Sequence, residues 1–583
     1  MKQNMLGYRK NIVKLLTVFL MFFPWITYLK IVEYNEAECR IFSSYDGTAA
    51  DLFIYYKERI LIGAAVFLIC WFIGERLFPD KVDNQVPIFK GNNRGLFISM
   101  GIFAGMAIIS TILSENKKNA LWGSPTEGEG LFTLLSYLVI ILAFYNYFAN
   151  EYGMKMIKIG IQVVGVITVL ASLVQYIYTQ GETVSLSFYN ASYYGGFVCL
   201  ILPFLLSFFL RAQKMGQRIL LGVVSVGMFF CVIASNSTTA LYIALGEYLL
   251  VTILYLFKEV SKKQAMLKIG GIWGVTLLTV ILLSVIDGGS IFSILRNSNS
   301  ATDQIVEGRF EILDIQLEET SVTLQGEEKT LMISYEEGQL SLLGEERQAL
   351  DVNYENDIFS FVEPGYENIT LEVLVNEEDA TDILAKIRVD AGYKDTIDFY
   401  ILRNGTFSGV GQNNQIVTDI GGADSPDLLK KYYGVFTGRG YAWANSLPIL
   451  KKTIITGVGP GNFAFYFKQH DYLGMLQTHK STKYIIDKPH SAYIQYGVNV
   501  GIVGMITFFA IFLLAWIRGV KSFTVHRGET DTFELQLGGI VSLAGFFIYS
   551  MINDSMITVT PIVCMITGLM LAIDYIEQRK GGK

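Results

Sequence analysis

Charge is scarce in this sequence. Asp, Glu, Lys and Arg make up 17% of its 583 residues, against the ~25% of an ordinary soluble protein, which argues against a string of soluble domains. Cysteine is scarcer. Cys39, Cys70, Cys199, Cys231 and Cys564 are scattered, mostly in apolar runs, with neither a disulfide framework nor metal-ligand spacing, so they read as small buried hydrophobes. Only four histidines occur, His470, His479, His490 and His526. No basic stripe interleaved with aromatics is present, which argues against nucleic acid as a partner. Internal repeats and low-complexity tracts are also missing. What abounds is apolar: 51% hydrophobic and 13% aromatic residues, with a mean hydropathy of +0.39. Runs of 18 or more apolar residues recur, as membrane-spanning helices require.

Twelve spans are expected, near 11–31, 58–77, 94–114, 130–149, 156–178, 193–211, 217–234, 237–257, 267–286, 491–517, 535–553 and 556–577. The first has Lys2, Arg9 and Lys10 ahead of it but no small-residue cleavage site behind it, so it reads as a retained helix. With the N-terminus inside, the inner loops carry Arg76, Lys81, Lys90 and Arg94, then Lys155 and Lys158, then Arg211, Lys214 and Arg218. Lys258–Lys268, Arg518–Arg527 and the tail Arg579–Lys583 follow the same pattern. The positive-inside rule then puts both termini in the cytoplasm and the stretch from Asp287 to Pro489 outside. Whatever that stretch does, it does without cytoplasmic ATP or sugar nucleotides.

The long outer segment is uneven. Residues 301–430 hold 28 of the 53 acidic but 8 of the 46 basic residues, so this part is near −20 and the remainder near +13. Charge this localised reads as a separate acidic domain on a basic-edged membrane body. Phe310–Asp424 alternates apolar and polar residues between Gly, Asn, Asp and Glu clusters, the pattern of short antiparallel strands, with one helix expected near Ala380–Ile387. Its acids lack EF-hand spacing. The expected organisation is spans one to nine in 1–290, a β-rich domain in 301–430, a loop carrying the chemistry in 431–490, and the last three spans in 491–583.

In that loop, His490 follows Pro489 at the mouth of the tenth span, with Ser491 placed to cap the helix. An imidazole fixed at the water–lipid boundary can accept a proton from a hydroxyl; it can also be a plain interfacial residue. Arg439 stands between Gly438 and Gly440. A guanidinium there can grip two phosphate oxygens or snorkel to lipid headgroups. Gly457, Gly459 and Gly461 form a turn able to cradle an anion, although no strand and helix flank it as in a nucleotide loop. The spacings between His470, His479 and His490 suit no metal motif. Within the eighth span, Glu247 is a buried-charge candidate for either function or helix pairing.

Together these residues resemble the O-antigen ligase and polymerase family of bacterial membrane glycosyltransferases. His490, Ser491, Gly501 and Gly504 satisfy its histidine motif. Thr437-Gly438-Arg439, Trp443 and Gly457–Phe463 are similar to the segments upstream of it, and Gly123–Gly130 and Asn190–Tyr194 are fainter echoes. The resemblance spans most of the membrane body but leaves out the β-rich insertion. It implies an α-helical polytopic membrane protein, GT-C-like, of about twelve transmembrane helices with a β-rich extracytoplasmic insertion.

The implied reaction moves an oligo- or polysaccharide from a polyprenyl diphosphate to an acceptor hydroxyl of glycan, lipid or protein. It occurs with inversion, without metal or cofactor, on the outer face of a bacterial cytoplasmic membrane. His490 would be the base or would orient the acceptor, and Arg439 would clamp the diphosphate. Lys488, Ser491, Trp443, Gly457, Gly459 and Gly461 would bind substrate, and Gly501 and Gly504 would be structural. One departure stands out: where many members have Ser-Arg-Gly, this chain has Asn236-Ser237-Thr238-Thr239-Ala240. If that arginine binds the diphosphate in relatives, either another basic group, Lys488, Arg40 or Lys30, substitutes for it or the donor is held differently. Ligase and polymerase share the motif. A transporter or flippase of lipid-linked sugars is the rival reading, expected to show repeats that this sequence lacks.

Overall fold

The computed structural model describes residues 2–42, 47–77, 93–259, 261–286, 309–376, 381–423, 425–525 and 530–581. In chain order its helices are α1 (Lys2–Phe22), α2 (Glu36–Ile41), α3 (Tyr55–Leu77), α4 (Arg94–Leu113), α5 (Lys117–Trp122), α6 (Leu131–Phe148), α7 (Glu151–Tyr178) and α8 (Ala191–Arg211). There follow α9 (Met215–Ala234), α10 (Thr238–Lys258), α11 (Lys262–Ile286), α12 (Asp427–Lys430), α13 (Val435–Lys452), α14 (Phe463–Tyr466) and α15 (Tyr472–His479). The chain closes with α16 (Ala492–Val525), α17 (Phe533–Ile552) and α18 (Thr560–Gly581). Among the described residues, eleven helices are long and apolar enough to cross a membrane: α3, α4, α6 to α11, and α16 to α18. This is a polytopic, mainly helical membrane protein.

The expected first span is the exception. Its helix lies earlier in the chain, because Pro24 follows close behind Phe22 and the chain turns away into a short hairpin, β1 (Lys30–Glu33) with β2 (Thr48–Asp51). Early placement brings Lys2, Arg9, Lys10 and Lys14 into α1 and dilutes its apolar character. Ile12, Val13, Leu16 and Leu20 still join the membrane core, and α1 packs on α7 and α6.

At the centre stands α8, buried along its whole length between α17, α9 and α10. Helix α4 pairs with α16, and α6 with α18. Other helices leave long apolar faces open, as in α4 at Ile98, Ile102, Ile109 and Ile112, as lipid-facing surfaces do.

The β-rich part holds two antiparallel meanders. Strands β3 (Ile312–Leu317), β4 (Ser321–Gly326), β5 (Thr330–Glu336) and β6 (Gln339–Leu343) form the first. Strands β7 (Val352–Glu355), β8 (Ile358–Phe361), β9 (Thr370–Val375), β10 (Ile383–Asp390), β11 (Ile397–Leu402), β12 (Phe407–Val410) and β13 (Ile416–Val417) form the second, each paired with its sequence neighbour. Of the helix expected near Ala380–Ile387, Ala380 lies outside the described residues and Ile383–Ile387 belong to β10. Ala385, Ile387 and Val389 are buried while Lys386 and Arg388 alternate with them, the two-residue period of a half-buried strand.

This part does not stand apart from the loop that follows it. Its apolar core includes Tyr472 and Leu476 of α15. The Tyr472 hydroxyl accepts from Val410 N (2.7 Å) and lies 2.8 Å from Val410 O and 3.1 Å from Asp398 O. Lys394 N donates to Lys480 O at 3.0 Å, and Lys483 pairs with buried Asp398 at 3.1 Å.

Candidate active site

The site forms where the α17–α18 turn, Asn553-Asp554-Ser555, meets the start of α16. His490 Nδ1 lies 3.1 Å from Asp554 Oδ2, and Ser491 N donates to Asp554 Oδ1 at 3.1 Å. The Tyr193 hydroxyl, from the first turn of α8, reaches the same carboxylate at 3.3 Å. Ala492 N donates to Asn553 O at 2.9 Å. Asp554 therefore caps the helix through the Ser491 amide; the contact of Ser491 is through its main chain. The histidine takes φ +55, a left-handed conformation that costs a non-glycine residue ~1–2 kcal/mol and turns the imidazole onto Asp554. Its side chain is 30% exposed while that of Asp554 is wholly buried. With Asp554 accepting from Nδ1–H, Nε2 is left as the proton acceptor.

Arg439 arrives on the other side. Ahead of it Phe436 (φ 51), Thr437 (φ 59) and Gly438 (φ 89) make a left-handed turn, and the helix resumes with Arg439 near its start. A guanidinium nitrogen donates to Asn553 Oδ1 at 3.4 Å, so base and cation converge on neighbouring residues of one turn. Trp443, one helical turn on, donates from Nε1 to His490 O at 3.4 Å. Behind the strained turn, the His479 ring lies against Gly438 and stacks on Tyr484 at 4.1 Å. Burial, assisted by the charge of His490, lowers the His479 pKa to about 4, so this ring is neutral at pH 7.

Lys488 is enclosed. It is 3% exposed, pairs with Asp487 at 2.7 Å and lies over the Tyr189 ring at 5.2 Å. Burial opposes its charge, yet Asp487, Tyr189 and Glu127 together raise its pKa above the ordinary lysine value. Glu127 is buried with neither carboxylate oxygen hydrogen-bonded. Burial raises its pKa well above the usual carboxylate range, partly offset by Lys488. Nearby Glu129 accepts from Tyr137 Oη (2.6 Å), Ser555 Oγ (2.8 Å) and Tyr496 Oη (3.2 Å), tying the Gly123–Gly130 loop to α16 and to the Asn553–Ser555 turn. Burial pushes its pKa up to about 7 despite those donors.

Most amides of the glycine turn, expected as an anion cradle, bond within the chain. The amides of Gly457, Val458 and Gly459 already donate to Thr453 O, Val498 O and Asn499 O, each at 2.9 Å. Gly459 and Gly461 lie against Ser114 and Ser124. The turn grips α16 at its break, Gly501, whose φ 80 and ψ 166 belong to a region only glycine occupies comfortably. A Cβ on Gly501 would collide with Ile455 O. Three residues on, Gly504 sits close to Val500 and Met106.

A family model described as O-antigen ligase matches residues 357–509. Over that stretch the chain is similar to the O-antigen ligase family. The match takes in Arg439, Trp443, the glycine turn, His490, Ser491, Gly501 and Gly504. It begins in the hairpin between β7 and β8, so it includes much of the insertion that the sequence resemblance left out. Neither the curated proteins nor the solved structures provide a match to the chain. The match and the many apolar helices support a membrane enzyme that ligates glycans, whose family implies a lipid-linked glycan donor and a glycan acceptor.

Sequence reasoning missed Asp554, Asn553, Tyr193, Glu127 and Asp487. The faint echoes at Gly123–Gly130 and Asn190–Tyr194 held part of the signal, since they supply Glu127, Glu129 and Tyr193. Of the candidates for the absent arginine, Lys30 lies over Tyr55 and the Arg40 carbonyl accepts from Gln415; Lys488 shares the site but is matched by carboxylates. Asn236–Ala240 serves to start α10, with Ser237 as its cap. Glu247 is buried in the bundle against Gly545, without a hydrogen-bond partner. His526 lies outside the described residues.

Proposed function

We propose that this protein transfers an oligo- or polysaccharide from a polyprenyl diphosphate to an acceptor hydroxyl. The reaction takes place on the outer face of a bacterial cytoplasmic membrane, with both termini cytoplasmic as the basic inner loops suggest. The supporting observation is the convergence of His490, held by Asp554, and Arg439, held by Asn553, on one turn. His490 Nε2 takes the acceptor's hydroxyl proton as the acceptor oxygen bonds to the anomeric carbon. The anomeric C–O bond to the diphosphate breaks, and its electron pair leaves with the diphosphate. Arg439 meets the charge that develops there, which is where an electrostatic contact accelerates reaction most. A single displacement inverts the anomeric centre, and in this reading no metal carries the phosphate charge. Ser491 and Trp443 support the start of α16 beside His490.

The test is release of polyprenyl diphosphate from a polyprenyl-diphosphate oligosaccharide by purified protein in lipid. His490→Ala is expected to lower turnover ~10²-fold or more, and Arg439→Ala by a similar factor. Turnover within a few-fold of wild type in either variant overturns that residue's role. A ladder of products from donor alone marks a polymerase; a single transfer marks a ligase.

A further inference from the structure

Helix α13 carries Arg439 at one end, and its other end has features no part of the proposed reaction uses. After Lys451 and Lys452 the chain continues as Thr453-Ile454-Ile455 before the glycine turn reverses it. All four of Lys451, Lys452, Ile454 and Ile455 are exposed, Ile454 at 53% and Ile455 at 68%. Among the described residues neither lysine has a carboxylate partner. A lysine pair in the last turn is what any helix C-terminus favours. Two neighbouring bare isoleucines are not.

The depth of this tip follows from its contacts. Ile502 N donates to Ile454 O at 2.9 Å, and Gly501 abuts Ile455 O, so the tip is level with residues 501–502 of α16. Asn499 O accepts from Ser110 Oγ at 2.6 Å, and Gly504 packs near Met106, so residues 501–502 face α4 near Ile108. That point lies about five residues, or ~8 Å at 1.5 Å per residue, inside the Leu113 end of a span. Around it Ile109, Ile112, Val503 and Ile506 are exposed too, forming one apolar belt with Ile454 and Ile455.

We propose that this tip is a re-entrant membrane anchor. Ile454 and Ile455 sit among the acyl chains of the leaflet on the His490 side, and Lys451 and Lys452 hold the phosphate of an anionic phospholipid. Two features choose that occupant. The tip continues a lipid-facing belt, and its paired cations have stems long enough to lift their ammonium groups from the apolar zone to the headgroups. The anchor fixes the depth of α13 in the bilayer and with it the depth of Arg439, one helix length away. It does not depend on the reaction proposed above.

The experiment places an environment-sensitive fluorophore on Ile455→Cys in a Cys39→Ser/Cys70→Ser background, the other three cysteines being buried. The full-length protein is reconstituted in nanodiscs containing doxyl-labelled phosphatidylglycerol or doxyl-labelled phosphatidylcholine. Both lipids are expected to quench, the anionic one at least twofold more, and Lys451→Gln/Lys452→Gln is expected to erase that preference while leaving quenching by phosphatidylcholine. A probe quenched by neither lipid overturns the membrane placement. Equal quenching by the two lipids, or a preference that survives the double substitution, overturns the headgroup site.

Discussion

Asp554→Asn isolates what Asp554 does for His490. The carboxylate has two occupied oxygens: Oδ1 accepts from the Ser491 amide and Oδ2 faces His490 Nδ1. Asparagine keeps the volume, and its carbonyl oxygen can keep the Ser491 amide, so the start of α16 should survive. Its amide nitrogen must then face Nδ1. Two donors cannot meet, so the imidazole shifts its proton to Nε2, the nitrogen that receives the acceptor's proton in the proposed reaction. The imidazolium formed in the transition state also loses its counter-charge. A hydrogen bond between charged partners contributes ~1.5–3 kcal/mol, which is ~10- to 150-fold in rate. The wrong tautomer adds to this, and reversing it in a comparable base–carboxylate pair costs ~10⁴-fold. Turnover should therefore fall between ~10²- and 10⁴-fold.

The assay is single-turnover release of polyprenyl diphosphate, read beside the apparent KM for donor and the thermal unfolding midpoint. In the proposed reaction Arg439, held by Asn553, meets the donor, so KM should stay within about threefold, and the midpoint within a few degrees. Those two readouts separate a failed base from a damaged fold. Turnover within about fivefold of wild type, with the fold intact, would refute the argument, because neither tautomer nor counter-charge would then matter.

Two other outcomes follow from the structure. Gly501→Ala forces a Cβ against Ile455 O in a backbone region that costs other residues ~1–3 kcal/mol before any clash, so it should lower the unfolding midpoint by several degrees and reduce folded yield; an unchanged midpoint contradicts the clamp. For His479, the folded pKa of about 4 lies below the ordinary 6.5, so the unfolded chain binds the proton first. Stability is intact above pH ~6.5 and falls towards pH 4, by about 3 kcal/mol if the shift is fully expressed. His479→Phe, compared by thermal unfolding at pH 7 and pH 4.5, should lose much less on acidification than wild type, and an equal loss would sink the assignment.

Much of the architecture was legible in the sequence because apolar runs and period-two alternation report on long elements. Eleven expected spans and the β-rich region came from those two signals. Helix α1 lies earlier than its apolar run suggests because Pro24 follows Phe22, and a segment as short as the start of β10 lets neither period prevail over the other. The site divides along a similar line. His490 and Arg439 were recognisable through local companions: proline before one, glycines around the other, and the spaced Gly501 and Gly504. Asp554 has none. It sits 64 residues beyond His490 in a short turn of ordinary polar residues, and only the packing of α17 against α16 brings the two together. The glycine turn, a pattern also suited to anions, makes close approach to the helix break at Gly501.

The acidic insertion bears on the same chemistry through α15. Adjacent residues of that short helix face different cores: Leu476 and Tyr472 pack into the β-rich part, while Met475 packs with Tyr441, Ile449 and Val458 beside Arg439. Asp471 joins the two sides, accepting from Tyr441 Oη at 2.8 Å and from Gly474 N at 2.9 Å. A wedge of eight residues, with one face in each core, cannot shift on one side without disturbing the other, because closely packed interiors transmit displacement. His479 at its end rests on the strained turn that aims Arg439. The β-rich part is thus built into the support of the cation.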